Sequence, residues 1–279
     1  MRTSFVDALK ARWSAANTLV CIGLDPEPAK FPAGFASDDD AVFAFCRDLA
    51  DATAEYACAF KPQIAHFAAL GAEDALRRLI AHLQAAHPRV PVILDSKRGD
   101  IGSTARHYAG EAFDRYGADA VTVNPYLGRD SVQPFLDHAD RGVVILCHTS
   151  NPGASDLQDL VVDAPGGARR PLYQHVAATV AQEWNAHGNC ALVVGATWPD
   201  QLREVRAIIG NAMPILVPGV GAQGGDVEAV VRSAQSIEGS GLVVSSSRAI
   251  LYASRGADYA EAAAREARAL RDAINRHRA

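Results

Sequence analysis

The sequence predicts a single (β/α)8 barrel, a TIM barrel of the α/β class. Three observations carry that prediction. Eight short apolar runs rich in β-branched residues alternate with helical patterns, which implies a parallel sheet. The runs are almost continuously apolar rather than alternating, as expected of strands covered on both faces. No Gly/Ser-rich linker or shift of composition divides residues 1–279, so one domain is expected. A doubly wound open sheet is the alternative that strand count alone leaves open.

In chain order the strands are expected at Leu19–Leu24, Ala57–Phe60, Pro91–Leu94, Ala120–Val123, Val143–Cys147, Ala191–Val194, Ile215–Val217 and Leu242–Val244. A helix near Ser4–Ala15 precedes them. Helices between them are expected near Asp39–Glu55, Glu73–His87, Ser103–Tyr116, Ser131–His138, Leu172–His187, Asp200–Ile209 and Asp226–Ser233. A last helix, Asp258–Arg276, repeats apolar residues at Ala260, Ala263, Ala264, Ala267, Leu270 and Ile274, one face of a helix. The longest irregular stretch, Thr149–Arg170, follows the fifth strand and is a candidate lid.

Composition narrows the function. Lys plus Arg number 27 against 32 Asp plus Glu, a net charge of −5, so no nucleic-acid partner is expected and any anion must meet a local basic cluster. Five scattered cysteines, Cys21, Cys46, Cys58, Cys147 and Cys190, form no C-x-x-C pair and read as buried free thiols of a reducing compartment. The N-terminus lacks a signal-peptide core and no apolar run reaches membrane-span length. A soluble cytoplasmic protein, without a membrane partner, is the expectation.

Polar residues follow every predicted strand: Asp25, Lys61, Asp95 to Asp100, Asn124-Pro125, His148 to Gly153, Gly195-Ala196-Thr197, Pro218 to Asp226, and Ser245 to Arg248. In a barrel these ends meet on one face, where such enzymes carry their chemistry. Gly219, Gly221, Gly224 and Gly225 expose backbone N–H groups before a helix starting near Asp226, and Arg248 could clamp an anion beside them. Tight turns alone are the simpler explanation of those glycines. Asp95 and Lys97 are two apart, so an extended backbone points them to one side. An ion pair plugging the barrel, with Asp100 capping the next helix, would explain them structurally. Lys61 arriving from the neighbouring strand favours chemistry, because such an array is costly to desolvate for stability alone.

These residues together resemble the orotidine 5′-monophosphate decarboxylase family. The resemblance rests on Asp25, Lys61 within AFKPQ, Asp95-Ser96-Lys97-Arg98-Gly99-Asp100 continuing to Thr104, Ser150-Asn151-Pro152-Gly153-Ala154, the loop from Pro218 through Gln223 to Asp226, and Arg248. It runs from residue 25 to 248, and the HTSNPG wording is similar to the longer subgroup of the family. In that subgroup residues 26–38 and 154–170 would be insertions without a transferable role. The resemblance implies that Lys61, Asp95 and Lys97 surround the reacting carbon, with Lys97 the proton donor. It implies that Asp100, with Thr104, reaches the neighbouring site of a homodimer. Asp25 would bind the ribose hydroxyls, Ser150 the pyrimidine ring, and Gln223 with Arg248 the phosphate. It implies a small-molecule substrate, orotidine 5′-monophosphate, and neither metal nor organic cofactor.

A magnesium-dependent sugar-phosphate enzyme of the same superfamily is the nearest competitor, but it would carry an acidic metal ligand where Lys61 stands. A catalytically silent phosphate binder is the other class. Among the histidines, His66, His82, His87, His107, His138 and His187 fall on predicted helices or their ends and read as solvated or half-buried. His148 lies near the mouth as a candidate ligand contact. No H-x-x-x-H pattern or carboxylate cluster at metal spacing stands out.

Overall fold

Eight parallel strands close into a barrel. A computed structural model describes residues 3–36, 38–163, 167, 169–220 and 225–279. In chain order the strands are β1 (Val20–Leu24), β2 (Ala59–Pro62), β3 (Ile93–Arg98), β4 (Ala120–Val123), β5 (Gly142–His148), a hairpin of β6 (Val161–Asp163) and β7 (Arg169–Pro171), then β8 (Cys190–Val194), β9 (Ile215–Pro218) and β10 (Leu242–Ser246). The barrel order is β2-β1-β10-β9-β8-β5-β4-β3, every pair parallel. Its two ends meet through the parallel bridges Phe60–Val92 and Gln63–Asp95, with Phe60 N donating to Pro91 O at 3.0 Å. Closure removes the unpaired strand edges an open sheet would carry, so the open-sheet alternative fails here.

The helices are α1 (Phe5–Ala15), α2 (Asp39–Thr53), α3 (Ile64–Ala69), α4 (Glu73–Ala86), α5 (Gly102–Gly110), α6 (Arg129–Leu136), α7 (Leu172–Thr179), α8 (Pro199–Ile209), α9 (Val227–Ala234), α10 (Arg248–Leu251) and α11 (Tyr259–Asn275). Side-chain caps start four of them: Ser4 accepts from Asp7 N, Asp38 from Ala41 N, Gln63 from Ala65 N and Asp226 from Glu228 N. In α1, Phe5, Leu9 and Trp13 are buried against the base of the barrel. There a Cβ on Gly142 would lie 2.2 Å from the Phe5 ring, so only glycine allows β5 to start under that ring. Arg206, buried, donates to four carbonyls: Ala234 O at 2.7 Å, Gly210 O at 2.8 Å, and Met213 O and Gly241 O at 2.9 Å. That one guanidinium satisfies acceptors at the ends of α8 and α9 and at the turns before β9 and β10. Burial lowers its pKa to about 10.

The eight expected strands all form, several displaced by a residue or two at the start. At the far end β3, β5 and β10 run past the expected stops, into Asp95–Arg98, His148 and Ser245–Ser246. Apolarity ends where the mouth begins, but ladder hydrogen bonds need no apolar side chain. Two expected helices shorten and continue as wider turns, Glu111–Arg115 after α5 and Val180–Trp184 after α7. The stretch Thr149–Arg170 is not irregular throughout. It holds a 3-10 turn, Pro152–Asp156, and β6, which pairs antiparallel with β7 through Val161–Pro171. The short helices α3 and α10 carry too few turns for a readable periodicity. Asp100 is not a helix cap; Ile101 precedes α5, and the Asp100 carboxylate accepts from the Ile101 N–H at 2.7 Å.

All five cysteines are buried as free thiols, and burial pushes the Cys21 and Cys190 thiols up to about 12. No helix among the described residues is long and apolar enough to cross a membrane.

Candidate active site

At the C-terminal end of β2, Lys61 is 5% exposed, and at the same level of β3, Asp95 is 6% exposed. Lys61 Nζ donates to Asp95 Oδ2 at 2.7 Å, and Lys97 Nζ donates to the other oxygen, Oδ1, at 2.6 Å. One buried carboxylate thus sits between two ammonium groups. Burial by itself would raise the Asp95 pKa, but the charges of Lys61 and Lys97 and their hydrogen bonds hold it well below the usual carboxylate range. Burial would likewise lower the Lys61 pKa, and the Asp95 and Asp25 carboxylates reverse this, holding it above the ordinary lysine value.

Asp95 and Lys97 do not meet by simple strand alternation. The β3–β4 register shifts between Leu94 and Arg98, and Lys97 has φ of +48°. A left-handed backbone on a non-glycine residue costs about 1–3 kcal/mol and persists only where its surroundings impose it. Thr122, in β4, imposes it: its Oγ1 accepts from Ser96 N and from Lys97 N, both at 2.9 Å, and donates to Asp95 Oδ1 at 2.9 Å. Sequence reasoning missed Thr122. It stands inside an apolar strand run, and only the β3–β4 register reveals what it faces. The adjacent Arg98 turns away, donating to both oxygens of Glu111 at 2.9–3.1 Å.

Asp25, Lys61, Asp95 and Arg248 line one cavity of about 320 Å³ with Glu27, Gln63, His66, the turn from Pro218 to Val220, and Ser245 to Ser247. Asp25 Oδ1 is buried without a hydrogen-bond partner among the described residues, an acceptor awaiting a donor. The loop bearing it is tied to α10 by Tyr252, whose hydroxyl donates to Asp25 O at 2.8 Å and accepts from Glu27 N at 2.7 Å. Tyr252 and His66, which faces the same cavity with Nδ1 3.2 Å from Pro26 O, were not among the residues expected here. Lys97 reaches the array from the rim, its side chain 46% exposed.

The other expected residues lie elsewhere. Asp100 is half-buried and Thr104 exposed; the Asp100 carboxylate accepts from Ile101 N and does not join the lysine array. Ser150 does not line the cavity but packs against Gly195, the residue after β8, where a Cβ would come within 2.6 Å of the Ser150 Cα. Gln223 lies outside the described residues, as do the expected glycines Gly221 and Gly224. His148 is fully buried and makes no wall of the cavity; its Nε2 pairs with Asp159 Oδ1 at 2.9 Å and its ring packs between Tyr173 and Trp198. It therefore fastens the loop after β5 instead of meeting ligand. Trp198 Nε1, donating to Thr149 O at 2.9 Å, fastens the same loop.

A closed parallel barrel with a buried, lysine-flanked carboxylate at the C-terminal end of its strands defines a (β/α)8-barrel enzyme. Its particular family follows from comparison. The chain belongs to the orotidine 5′-phosphate decarboxylase / HUMPS family, whose model matches residues 18–265. It is 59% identical over 272 residues to the orotidine 5′-phosphate decarboxylase of Bordetella petrii, covering 98% of each chain. It is similar in structure to the OMP decarboxylase of Leishmania donovani, with a TM-score of 0.81 and 39% identity over 97% of this chain and 100% of that one. The UMP synthase of Leishmania donovani matches with a TM-score of 0.86 and 40% identity over 99% of this chain, which spans 56% of that protein.

Proposed function

We propose that this protein decarboxylates orotidine 5′-monophosphate to uridine 5′-monophosphate, a step of pyrimidine biosynthesis, in one domain over residues 1–279 with its active site at the C-terminal ends of the strands. The observation that carries this reading is Asp95, buried and ionised between Lys61 and Lys97. Asp95 faces the substrate carboxylate; two unit negative charges 4 Å apart repel by roughly 4 kcal/mol at an effective dielectric near 20. The bond from the ring carbon to the carboxylate breaks, CO2 leaves, and the electron pair stays on the ring carbon. Lys97 stabilises that charge and delivers a proton to it, which a neutral side chain could not do as well. Metal and organic cofactor have no part in these steps.

Substrate binding is distributed along the cavity. The unpartnered Asp25 oxygen accepts from the ribose hydroxyls. Arg248 and Gln223 hold the phosphate, and Ser150 contacts the pyrimidine as the loop after β5 closes. Phosphate binding, remote from the reacting carbon, supplies energy for holding the repelled carboxylate in place.

Asp100 and Thr104 complete the site of a second copy in a homodimer. Support comes from their position outside their own array and from the apolar residues beside them: Ile101, Tyr126 and Leu127 are 58%, 76% and 47% exposed, an apolar surface suited to a partner. The five reduced thiols accord with a cytoplasmic enzyme. The test is loss of orotate absorbance when EDTA-treated protein meets orotidine 5′-monophosphate. Rapid loss with uridine 5′-monophosphate as product supports the reading; activity that needs Mg²⁺, or none in folded protein, overturns it.

A further inference from the structure

On the opposite side of the barrel wall from the mouth, three side chains that no motif connects come together. Asp51 lies in the last turn of α2, His82 in the last turns of α4, and His87 at the C-terminal cap of α4. His82 Nε2 and His87 Nε2 are each 2.7 Å from the same Asp51 oxygen, Oδ1. One donor atom from each residue lies within 4.8 Å of the others. Both helix ends point to the N-terminal ends of the strands, since α2 leads into β2 and α4 into β3. The cluster therefore takes no part in the array at Lys61, Asp95 and Lys97.

We propose that Asp51, His82 and His87 form a surface site for a borderline divalent metal ion, Zn²⁺ above all, with water completing the coordination.

Four features of the cluster support this. The donor set is two imidazole nitrogens and one carboxylate oxygen, which suits Zn²⁺ better than the hard cations Mg²⁺ and Ca²⁺, which prefer all-oxygen sites. Zn–N and Zn–O bonds near 2.1 Å place tetrahedral ligand atoms about 3.4 Å apart, so the three groups need separate only slightly to admit an ion. The imidazole planes cross at 80°, with centroids 6.2 Å apart, so the rings converge edgewise on the carboxylate without stacking. Their backs are fixed by aromatic packing, His82 against Phe43 at 6.4 Å and His87 against Phe60 at 6.1 Å, which limits the entropy lost on binding.

The side chains of Asp51, His82 and His87 are 42%, 27% and 20% exposed, so an ion has a path in and sheds only part of its hydration. On binding, each imidazole offers the Nε2 lone pair with its remaining proton on Nδ1, and the ion gives up the waters these ligands replace. Bound metal would fasten the end of α2 to the end of α4.

The test uses tag-free, chelator-treated full-length protein titrated with Zn²⁺ against a chromophoric chelator at pH 7.5. One ion per chain with micromolar or tighter affinity is expected, weakened at least tenfold in His82→Ala and in His87→Ala, and also in Asp51→Asn. Zn²⁺ at about a hundred times its wild-type Kd should raise the wild-type Tm by roughly 4 °C and, at that same concentration, raise the histidine variants by about half of that or less. Co²⁺ in place of Zn²⁺ should show visible absorption of a low-symmetry site. Binding no tighter than millimolar in folded wild-type protein overturns the proposal and leaves the trio as a hydrogen-bonded strut. Tight binding that survives in both histidine variants also overturns it. Neither outcome bears on decarboxylation, whose residues lie at the other end of the barrel.

Discussion

Thr122 holds Asp95 from the next strand: its hydroxyl donates to Asp95 Oδ1 at 2.9 Å while accepting the backbone N–H groups of Ser96 and Lys97. One oxygen therefore orients the carboxylate and stabilises the left-handed turn that sends Lys97 back over it. A hydrogen bond to a charged group contributes about 1.5–3 kcal/mol, and here the gain is spent on geometry as well as on stability.

Thr122→Val, nearly isosteric, should lower kcat about 10- to 100-fold with a smaller change in KM, and Thr122→Ser should restore most of the loss. Steady-state kinetics on both variants decide it. A kcat for Thr122→Val equal to wild type would show that Asp95 and Lys97 hold their positions unaided.

Lys97→Ala and Asp100→Ala should each reduce kcat by about 10³-fold or more. Mixed and refolded together, they should recover roughly a quarter of wild-type activity, because half of the dimers are hybrids carrying one intact site each. No recovery where hybrids demonstrably form would confine Asp100 to its own chain.

The Asp95 carboxyl is held below its unfolded value of about 3.9, so its contribution to stability is complete above that pH and is lost as pH falls through the lower folded value. In that acid window the unfolded chain binds the extra proton, and stability should fall with decreasing pH by about 1.4 kcal/mol per pH unit from this group. Asp95→Asn should lack that component. Lys61 acts in the other direction: its pKa is raised, so its contribution is present below about 10.4 and lost above, as pH rises through the folded value. Urea unfolding of wild type and Asp95→Asn between pH 2.5 and 7 measures the difference in slope, and parallel curves would contradict it.

Arg206→Met should lower stability by about 3–5 kcal/mol, a Tm loss of roughly 5–10 °C, because buried carbonyls would lose their donor. KM for substrate should stay near wild type, since Arg206 is remote from the cavity. Thermal melts with parallel kinetics check both parts.

Much of the site was legible because chemistry and topology coincide in this fold. Each strand opens as a run of apolar residues covered on both faces, and the first charged residue after that run marks the barrel mouth, as at Asp25, Lys61 and Asp95. Thr122 was illegible for the converse reason: a threonine within AVTV looks like any β-former until the register to β3 is known. His148 misled because proximity to the mouth in sequence does not fix which way a ring turns, and its ring turns inward to Asp159. Asp51, His82 and His87 follow no ligand spacing, since they converge across two helices.

The amino-acid sequence by itself determined the alternation of strand and helix, the parallel sheet that alternation implies, and the charged residues at the strand ends, because burial on both faces and turn chemistry are local properties. Tertiary structure decided how those charges meet. The β3–β4 register supplies Thr122, the left-handed backbone at Lys97 turns its ammonium onto Asp95, and Tyr252 sets the loop of Asp25. Each of these depends on backbone pairing or packing between segments distant in the chain, where a displacement of one residue would change every partner.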